Sequence, residues 1–250
     1  MKIFHGTENA NILRPTVLTL GVFDGLHLGH QRIMQTVVER AKAIGGVPTA
    51  ITFDPHPRAV LHPESAPPLL QTLDQRLANL EVLGIGQTIV VKFDAEFASQ
   101  PAEDFLSDIV HDRLQAREVY LGEGFAFGRN RGGNIDLLRS MGQNLGFVAD
   151  EVDEVQLRGR RVSSSAIREL LALGRINLAR RMLGRPYGVE GVIIRGLRRG
   201  HTIGFPTANL KPHNRVIPAL RRLCHRDPDR WCLAQEHNQH RRAADIRKRC

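Results

Sequence analysis

Apolar and polar positions along the first 150 residues follow two alternating periods. Short apolar runs predict strands at residues 17–22, 48–53, 88–93, 118–121 and 147–151. Between them, apolar residues at helical spacing predict helices at 31–44, 73–83, 102–114 and 135–145. Regular alternation of strands and helices predicts an α/β fold with a doubly wound parallel sheet, which binds ligands at the carboxyl ends of its strands.

The first predicted strand passes into the first helix through the segment GVFDGLHLGH, residues 21–30. Glycine lacks a Cβ, so Gly21, Gly25 and Gly29 allow a tight turn and a close approach of the backbone to a ligand. His27 and His30 lie where the helix begins. Backbone N–H groups and the helix dipole favour phosphate at such a terminus, and two imidazoles add donors. The segment therefore predicts a phosphate site.

Two further loops follow predicted strands. The segment TFDPHP, residues 52–57, follows the second strand, and its prolines favour an extended loop from which Asp54 and His56 project. The segment GEGFAFGRNRGG, residues 122–133, follows the fourth strand. It supplies two aromatic rings that could flank a flat ligand and two guanidinium groups for phosphate, which are Phe125, Phe127, Arg129 and Arg131.

The segment VSSSAIRELLALG, residues 162–174, predicts a second phosphate element. Ser163 or Ser164 is suited to cap a helix whose apolar residues recur at helical spacing. Arg168 lies in or near the first turn, where a cation is unfavourable unless an anion is present. A helical stretch at 177–183 and a turn at 184–186 are then expected to close the first domain.

A different architecture is predicted to begin at Tyr187, with the stretch YGVEGVIIRGLRRGHTIGFPTANL. It opens with a β-branched strand and continues through a glycine-rich basic turn. Thr207 supplies a hydroxyl and Asn209 an amide oxygen, which are hard ligands of the kind that Mg²⁺ accepts beside substrate phosphates.

These segments together resemble a known family. GVFDGLHLGH resembles the HxGH signature of the nucleotidyltransferase superfamily, in the wording of bacterial riboflavin kinase/FMN adenylyltransferases, the FAD synthetases. TFDPHP, GEGFAFGRNRGG, SSSAIR and GFPTANL resemble further motifs of that family, and the resemblance extends to about Pro218. The chain departs from the usual pattern at Gly124, where the family commonly has Asp or Asn, at Ser165 for Thr, and at His201 for Arg.

The resemblance implies a Rossmann-like FMN adenylyltransferase domain at 1–183 that transfers AMP from ATP to FMN, with Mg²⁺, and releases pyrophosphate. His27 and His30 would be catalytic. The residues implied for ATP are Gly21, Phe23, Asp24, Gly29, Ser163, Ser164, Ser165 and Arg168. Those implied for FMN are Asp54, Pro55, His56, Phe125, Phe127, Arg129 and Arg131. Those implied for a riboflavin kinase site are Gly204, Pro206, Thr207 and Asn209, the last two as metal ligands.

Composition fits a soluble enzyme of small molecules. Five of the nine net positive charges fall within residues 220–250, and the body lacks the interleaved aromatic and basic pattern of an RNA-binding surface. No stretch approaches the length of a membrane span, and the N-terminus lacks the apolar region of a signal peptide. We therefore expect a cytoplasmic protein whose partners are ATP, FMN and riboflavin, without nucleic acid or membrane. The oligomeric state stays open.

The second domain is expected to be incomplete. A riboflavin kinase-like β-barrel closes with about six strands, and residues 184–219 supply two or three. All three cysteines and the only tryptophan lie in the basic stretch 220–250, which shows no strand periodicity. We interpret it as an irregular, disordered tail that follows a change of reading frame near Ala219. The family's glutamate base finds no match, so kinase activity is expected to be lost.

Three alternatives to an FMN adenylyltransferase stay open from the sequence. HxGH alone does not select the acceptor, so another adenylyl- or cytidylyltransferase is one, although TFDPHP and GFPTANL favour a flavin. A fragment of a class I aminoacyl-tRNA synthetase is the second, but SSSAIR lacks the lysine of the corresponding synthetase loop. The third is a non-catalytic protein that binds a flavin or a nucleotide.

Overall fold

The computed structural model describes residues 1–8, 11–194 and 209–219, together with the backbone of residues 223–227 and 230–233. The chain divides into two compact units. Unit 1 comprises Met1–Pro67 and Leu73–Val162, and unit 2 comprises Pro68–Thr72 and Ser163–Cys250. The two helices after Val162 thus group with unit 2, whereas the sequence placed the domain boundary after residue 183.

Unit 1 is built on a six-stranded parallel sheet in the order β1-β4-β3-β2-β5-β6. Its strands are β1 (Lys2–His5), β2 (Thr16–Leu20), β3 (Val47–Asp54), β4 (Gln87–Lys92), β5 (Ala116–Gly122) and β6 (Val148–Val152). The chain runs from β2 through β3 to β4 on one side and returns to β5 on the other. The order therefore reverses between β2 and β5, and the crevice at their carboxyl ends is the position where doubly wound sheets bind ligands.

Helices cover both faces of this sheet. They are α1 (Leu28–Ile44), α2 (Pro57–Leu61), α3 (Leu73–Val82), α4 (Ala95–Ala98), α5 (Ala102–Asp104) and α6 (Ile135–Leu145), with a π-helix at Phe105–Arg113 and 3₁₀ turns at Pro63–Ser65 and Arg129–Arg131. A small antiparallel pair, β7 (Gln156–Leu157) and β8 (Arg160–Arg161), follows β6. Within the described part of the chain, no helix is both long and apolar enough to cross a membrane.

Strand residues alternate between two buried clusters. Val17, Ala50 and Tyr120 pack with the apolar face of α1, whereas Leu18, Ile51 and Val119 pack on the opposite face with the π-helix and α6. Because side chains of a strand point alternately to its two faces, this pattern requires a sheet that is covered on both sides. The predicted doubly wound parallel sheet is confirmed.

The predicted elements of unit 1 all occur, with boundaries that differ by a few residues. The edge strand β1 was not predicted, because it has four residues of which only Phe4 is buried. The helix predicted at 102–114 is mostly a π-helix, in which the N–H of Leu114 donates to the carbonyl of Ile109 at 3.0 Å. Apolar spacing over nine residues does not separate the two helix types.

A buried carboxylate links α1 to β5. Arg40 donates to the two carboxylate oxygens of Glu118 at 2.8 and 2.5 Å, and the hydroxyl of Tyr120 donates to the same carboxylate at 2.8 Å. The hydrogen bond from Arg40 is the main cause that lowers the pKa of Glu118, with a smaller contribution from Tyr120, while burial opposes the shift. The ionised carboxylate therefore stabilises the fold.

We expect Glu118→Gln to lower the free energy of unfolding at pH 7 by about 1.5–3 kcal/mol, the contribution of hydrogen bonds to a charged group. A carboxyl with a lowered pKa in the folded state stabilises above its unfolded pKa, near 4.5, and loses that contribution as the pH falls through the folded value. The difference between wild type and variant in urea unfolding should therefore shrink as the pH is lowered below about 4.5.

The matched control is Asp150→Asn, which removes an exposed carboxylate that accepts from Arg139 at 2.6 Å. Exposed ion pairs contribute about 0–1 kcal/mol, so this variant should change stability less than Glu118→Gln. Equal effects of the two substitutions, or a pH-independent effect of Glu118→Gln, would contradict the assignment.

Unit 2 contains α7 (Ser164–Ala172), α8 (Ile176–Leu183) and the antiparallel pair β9 (Gly191–Ile194) and β10 (Asn209–Pro212). Although the sequence predicts an incomplete second domain, part of the segment after Tyr187 is well packed. The Tyr187 hydroxyl lies 2.9 Å from the carbonyl oxygens of both Leu70 and Val216, and the buried amide of Asn214 donates to Leu70. These polar contacts join three separate segments of the unit.

The tail predicted to be irregular contains regular structure where the chain is described. β11 (Leu223–Asp227) and β12 (Arg230–Leu233) form an antiparallel pair there, and disorder of the tail stays a prediction. The sequence between them, Pro228-Asp229, is of a type that favours turns. The pair is separate from the β9–β10 sheet.

Candidate active site

The turn between β2 and α1 lies at the reversal point of the sheet, and together with the first three residues of α1 it holds six of the predicted site residues. Three of its positions have φ in the left-handed region, which are Phe23 at 52°, Gly25 at 83° and Leu26 at 39°. A non-glycine residue in such a conformation costs about 1–3 kcal/mol and is typical of functional sites. Phe23 and Leu26 are both buried, and the burial of such side chains offsets a cost of that size.

The two imidazoles at the start of α1 stack on each other. Their ring centroids are 3.7 Å apart with an interplanar angle of 18°, and the ring of Phe23 meets His30 edge-on at 5.3 Å. His27 is the N-cap of α1, and its Nδ1 accepts from the N–H of His30 at 3.4 Å. The prediction placed both rings at the helix N-terminus, and the structure adds that His27 is a structural cap as well.

Gly21 in the turn and Gly29 at the start of α1 leave room for the rings of Phe23 and His27. A Cβ at Gly29 would lie 3.2 Å from the His27 ring, and a Cβ at Gly21 would lie 2.9 Å from the Phe23 ring. Substitution at Gly21 would therefore displace Phe23, and through it the edge-on contact with His30. The sequence assigned these glycines to a close approach of the ligand, and the structure gives them a packing role.

The loop after β3 leaves the sheet next to this turn, since β2 and β3 are neighbours. Asp54, the last residue of β3, is half-buried, and Pro55 is exposed. His56 is the N-cap of α2, where its Nδ1 accepts from the N–H of Arg58 at 3.0 Å. One imidazole nitrogen of His56 is thus engaged in holding the loop.

The loop after β5 leaves the sheet on the other side of β2. The Phe125 and Phe127 rings are nearly parallel, at 20°, with centroids 6.5 Å apart, and Phe127 is buried in the core. A flat ligand needs about 7 Å between two flanking rings at van der Waals contact, so this spacing does not admit one without movement. The side chains of Arg129 and Arg131 are exposed.

The backbone conformation at Gly124 explains why glycine can stand where the family commonly has Asp or Asn. Its φ is +70°, and no other atom lies within 4 Å of the place that a Cβ would occupy. Asp and Asn tolerate this left-handed conformation better than most residues, so either type fits the same backbone as glycine. The N–H of Gly124 donates to Glu151 at 3.1 Å, which fixes the loop from the backbone.

In unit 2, Ser163 is the N-cap of α7 and its Oγ accepts from the N–H of Ala166 at 3.2 Å. Of the two capping candidates, Ser163 and Ser164, the cap is therefore Ser163. Ser164 and Ser165 occupy the first turn, and Arg168 lies in the second, where its Nε donates to the carbonyl of Pro68 at 2.7 Å. Arg168 therefore supports the segment Pro68–Thr72 in addition to any ligand contact.

The predicted kinase and metal residues lie mostly outside the described residues. Gly204, Pro206 and Thr207 are among those not described, as is His201, and Asn209 is exposed at the start of β10. Among described residues, no group of three or more His, Cys, Asp or Glu side chains forms a metal cluster. Mg²⁺ bound through substrate phosphates needs only one or two protein ligands, so this donor set is compatible with Mg²⁺ and does not define a site.

Sequence reasoning missed one residue that the site is built on. Arg76 of α3 is 3% exposed, and its guanidinium donates to the carbonyl of Val22 at 2.7 Å, to Thr52 Oγ1 at 3.0 Å and to the carbonyl of Phe53 at 3.2 Å. A signal existed, because position 76 follows Leu73 by three and precedes Leu80 by four, and therefore lies on the apolar face of the predicted helix.

The chain is similar to known proteins over most of its length. A family model for FAD synthetase matches residues 9–166, and one for riboflavin kinase matches residues 183–224. A bifunctional riboflavin kinase/FMN adenylyltransferase from Haemophilus influenzae is 36% identical over 219 residues, covering 87% of this chain and 71% of the relative. The corresponding protein from Escherichia coli is 33% identical over 220 residues, covering 87% of this chain and 70% of the relative.

A solved structure has the same fold. A crystal structure of a protein named a macrolide-efflux protein, from Streptococcus pneumoniae, superposes with a TM-score of 0.77 at 25% identity, covering 88% of this chain and 72% of that one. The matched regions include the β2–α1 turn with its two histidines. On the fold, the turn and these similarities, the chain belongs to the family of bifunctional riboflavin kinase/FMN adenylyltransferases and carries its FAD synthetase domain.

Proposed function

We propose that the protein transfers the adenylyl group of ATP to FMN, and that His27 and His30 carry this reaction. A phosphate oxygen of FMN attacks the α-phosphorus of ATP, the bond from that phosphorus to the bridging oxygen breaks, and pyrophosphate leaves. The observation that carries the proposal is the stacked imidazole pair at the N-terminus of α1, a helix of 17 residues at the reversal point of the sheet.

The chemistry requires positioning and charge stabilisation rather than a protein nucleophile. Negative charge develops on the oxygens of the α-phosphate, and helix N–H groups and imidazole donors that are already oriented stabilise it without reorganisation. Mg²⁺, when bound, would neutralise part of the charge on the ATP phosphates. A rigid turn suits this role, because donors that are already oriented need no reorganisation. The N–H of Gly21 donates to the carbonyl of Ile51 at 3.0 Å, and Nε2 of Gln31 donates to the carbonyl of Leu26 at 2.7 Å.

The remaining site residues keep the roles that the resemblance suggests. Asp54, Pro55, His56, Phe125, Arg129 and Arg131 are proposed to contact FMN, and their loops leave strands on either side of β2 at the carboxyl edge of the sheet. Because Phe127 is buried and packs on Phe105, we propose that it supports Phe125. Ser164, Ser165 and Arg168 are proposed to hold the β- and γ-phosphates of ATP. The cytoplasmic location also remains a proposal.

The direct test follows the label from ATP. With FMN and ATP labelled at the α-phosphate, the purified protein should produce labelled FAD, and with a γ-label it should release labelled pyrophosphate. CTP in place of ATP, and other phosphorylated acceptors in place of FMN, should give at least about tenfold less product. A faster reaction with another acceptor would favour a nucleotidyltransferase of different specificity, and no product at all would favour a non-catalytic binding protein.

Arg168→Ala is expected to raise the KM for ATP by about tenfold, the value of one charge-assisted hydrogen bond, and to change the KM for FMN much less. Steady-state kinetics with each substrate varied in turn measures both values. Arg180→Ala, an exposed arginine of α8, serves as the control and should change neither. Equal increases for ATP and FMN would show that Arg168 acts only through its contact with Pro68.

A further inference from the structure

One buried guanidinium contacts both the turn after β2 and the carboxyl end of β3. Arg76 donates to Val22 at the start of the β2–α1 turn, and to Thr52 Oγ1 and the carbonyl of Phe53 at the end of β3. Thr52 Oγ1 in turn donates to the Val22 carbonyl at 3.2 Å. A single side chain therefore fixes the separation of two segments that the proposed function assigns to different substrates.

The positive charge of this guanidinium is balanced by carboxylates of the same two segments. Asp54 Oδ1 lies 3.9 Å from the Arg76 guanidinium, and the Asp24 carboxylate also interacts with it. Burial lowers the pKa of Arg76, and the two carboxylates oppose that shift. Burial of a cation destabilises a protein unless the cation is paired with an opposite charge and hydrogen-bonded. Groups of the β2–α1 turn and of the end of β3 meet both conditions here.

The planar fork of arginine suits this task in a way that lysine does not. All three hydrogen bonds come from Nη1, while Nη2 of the same planar group lies 3.9 Å from Asp54 Oδ1. The single ammonium of lysine ends a shorter side chain and cannot occupy both positions, because only a guanidinium holds two such nitrogens at a fixed angle. The same position in a solvent-exposed helix would tolerate either residue. The buried, bridging arrangement makes the identity of the side chain matter.

We infer that Arg76 is a positioning residue that sets the distance between the ATP-side turn and the FMN-side loop, and so aligns the FMN phosphate with the α-phosphorus of ATP. The inference rests on the proposed function. Alignment of two bound reactants affects the rate of the chemical step more than the binding of either reactant alone, and displacements of about 1 Å reduce rates by up to about 10²-fold. Arg76 should therefore act on kcat.

The test is Arg76→Lys, which keeps the charge and removes the bridge. We expect kcat for FAD formation to fall by at least about tenfold, while the Kd values for ATP alone and for FMN alone, measured by calorimetry and flavin fluorescence, stay within about threefold of wild type. Thr52→Val, which removes the shared hydroxyl and keeps the cation, should lower kcat by about threefold with the same binding.

Arg40→Lys is the matched control, because Arg40 also bridges a carboxylate but lies at the far end of α1 from the turn. It should lower the Tm and leave kcat unchanged. If Arg76→Lys does not fold, the kcat of Thr52→Val tests the inference in its place. Unchanged kcat in the folded variant, or a loss confined to the Kd of one substrate, overturns the inference. Failure of the wild type to make FAD would instead overturn the proposed function.

Discussion

Replacing His30 by alanine is expected to slow FAD formation by about 10²-fold, the usual effect of removing one oriented donor from developing charge. The His30 ring stacks on His27 and meets Phe23 edge-on, at the start of α1, whereas the N-cap of that helix is His27. Removal of the His30 ring should therefore affect catalysis far more than stability. Product formation followed by chromatography gives the rate, and thermal unfolding gives the stability.

His27 needs a different substitution, because its side chain has two roles. As the N-cap of α1, its loss to alanine would cost about 1 kcal/mol of stability in addition to any loss of rate. Asn is a good N-cap without an imidazole, so His27→Asn should restore most of the stability while the rate stays low. His62→Ala, at an exposed histidine after α2, is the matched control and should leave the rate unchanged. Wild-type rates in both His30→Ala and His27→Asn would contradict the assignment of the β2–α1 turn to catalysis.

The β2–α1 turn shows what local sequence can predict. Three glycines and two histidines between a buried strand and an amphipathic helix determine where a phosphate site lies, because strand, turn and helix N-terminus are all local features. The stacking of His27 on His30 was beyond that reasoning. The turn before these rings places Phe23 and Leu26 in left-handed conformations with their side chains buried, which non-glycine residues seldom adopt from their own preferences.

Arg76 shows what local sequence does not predict. Charged residues in helices are normally solvated, and the partners of Arg76 lie 22 to 54 residues away along the chain, at Val22, Thr52, Phe53 and Asp54. Only the parallel pairing of β2 with β3 brings those acceptors together. The same limit applies to Tyr187 and Asn214, whose contacts with Leu70 reach back more than 100 residues.

The second prediction concerns the part of the chain that resembles a riboflavin kinase. The riboflavin kinase family model matches residues 183–224, and β9 pairs with β10 in a two-stranded sheet. The other described strands beyond α8, β11 and β12, form a separate two-stranded sheet. Two-stranded sheets are marginally stable, and a barrel of this kind closes with about six strands, so the described strands do not assemble the barrel.

We therefore expect a polypeptide of these 250 residues to make FAD from FMN and ATP, and to make no FMN from riboflavin and ATP. The first reaction depends on the β2–α1 turn, which unit 1 holds complete, whereas the second depends on a closed barrel and a glutamate base that the sequence does not match. Chromatography of the flavins after incubation with each substrate pair measures both reactions. The matched control adds a separate, active riboflavin kinase to the riboflavin mixture, which should restore FAD formation because the adenylyl transfer step is intact. Formation of FMN from riboflavin by the purified chain alone, with its mass confirmed, would show that the barrel assembles from residues after Tyr187 in a way that the described strands do not reveal.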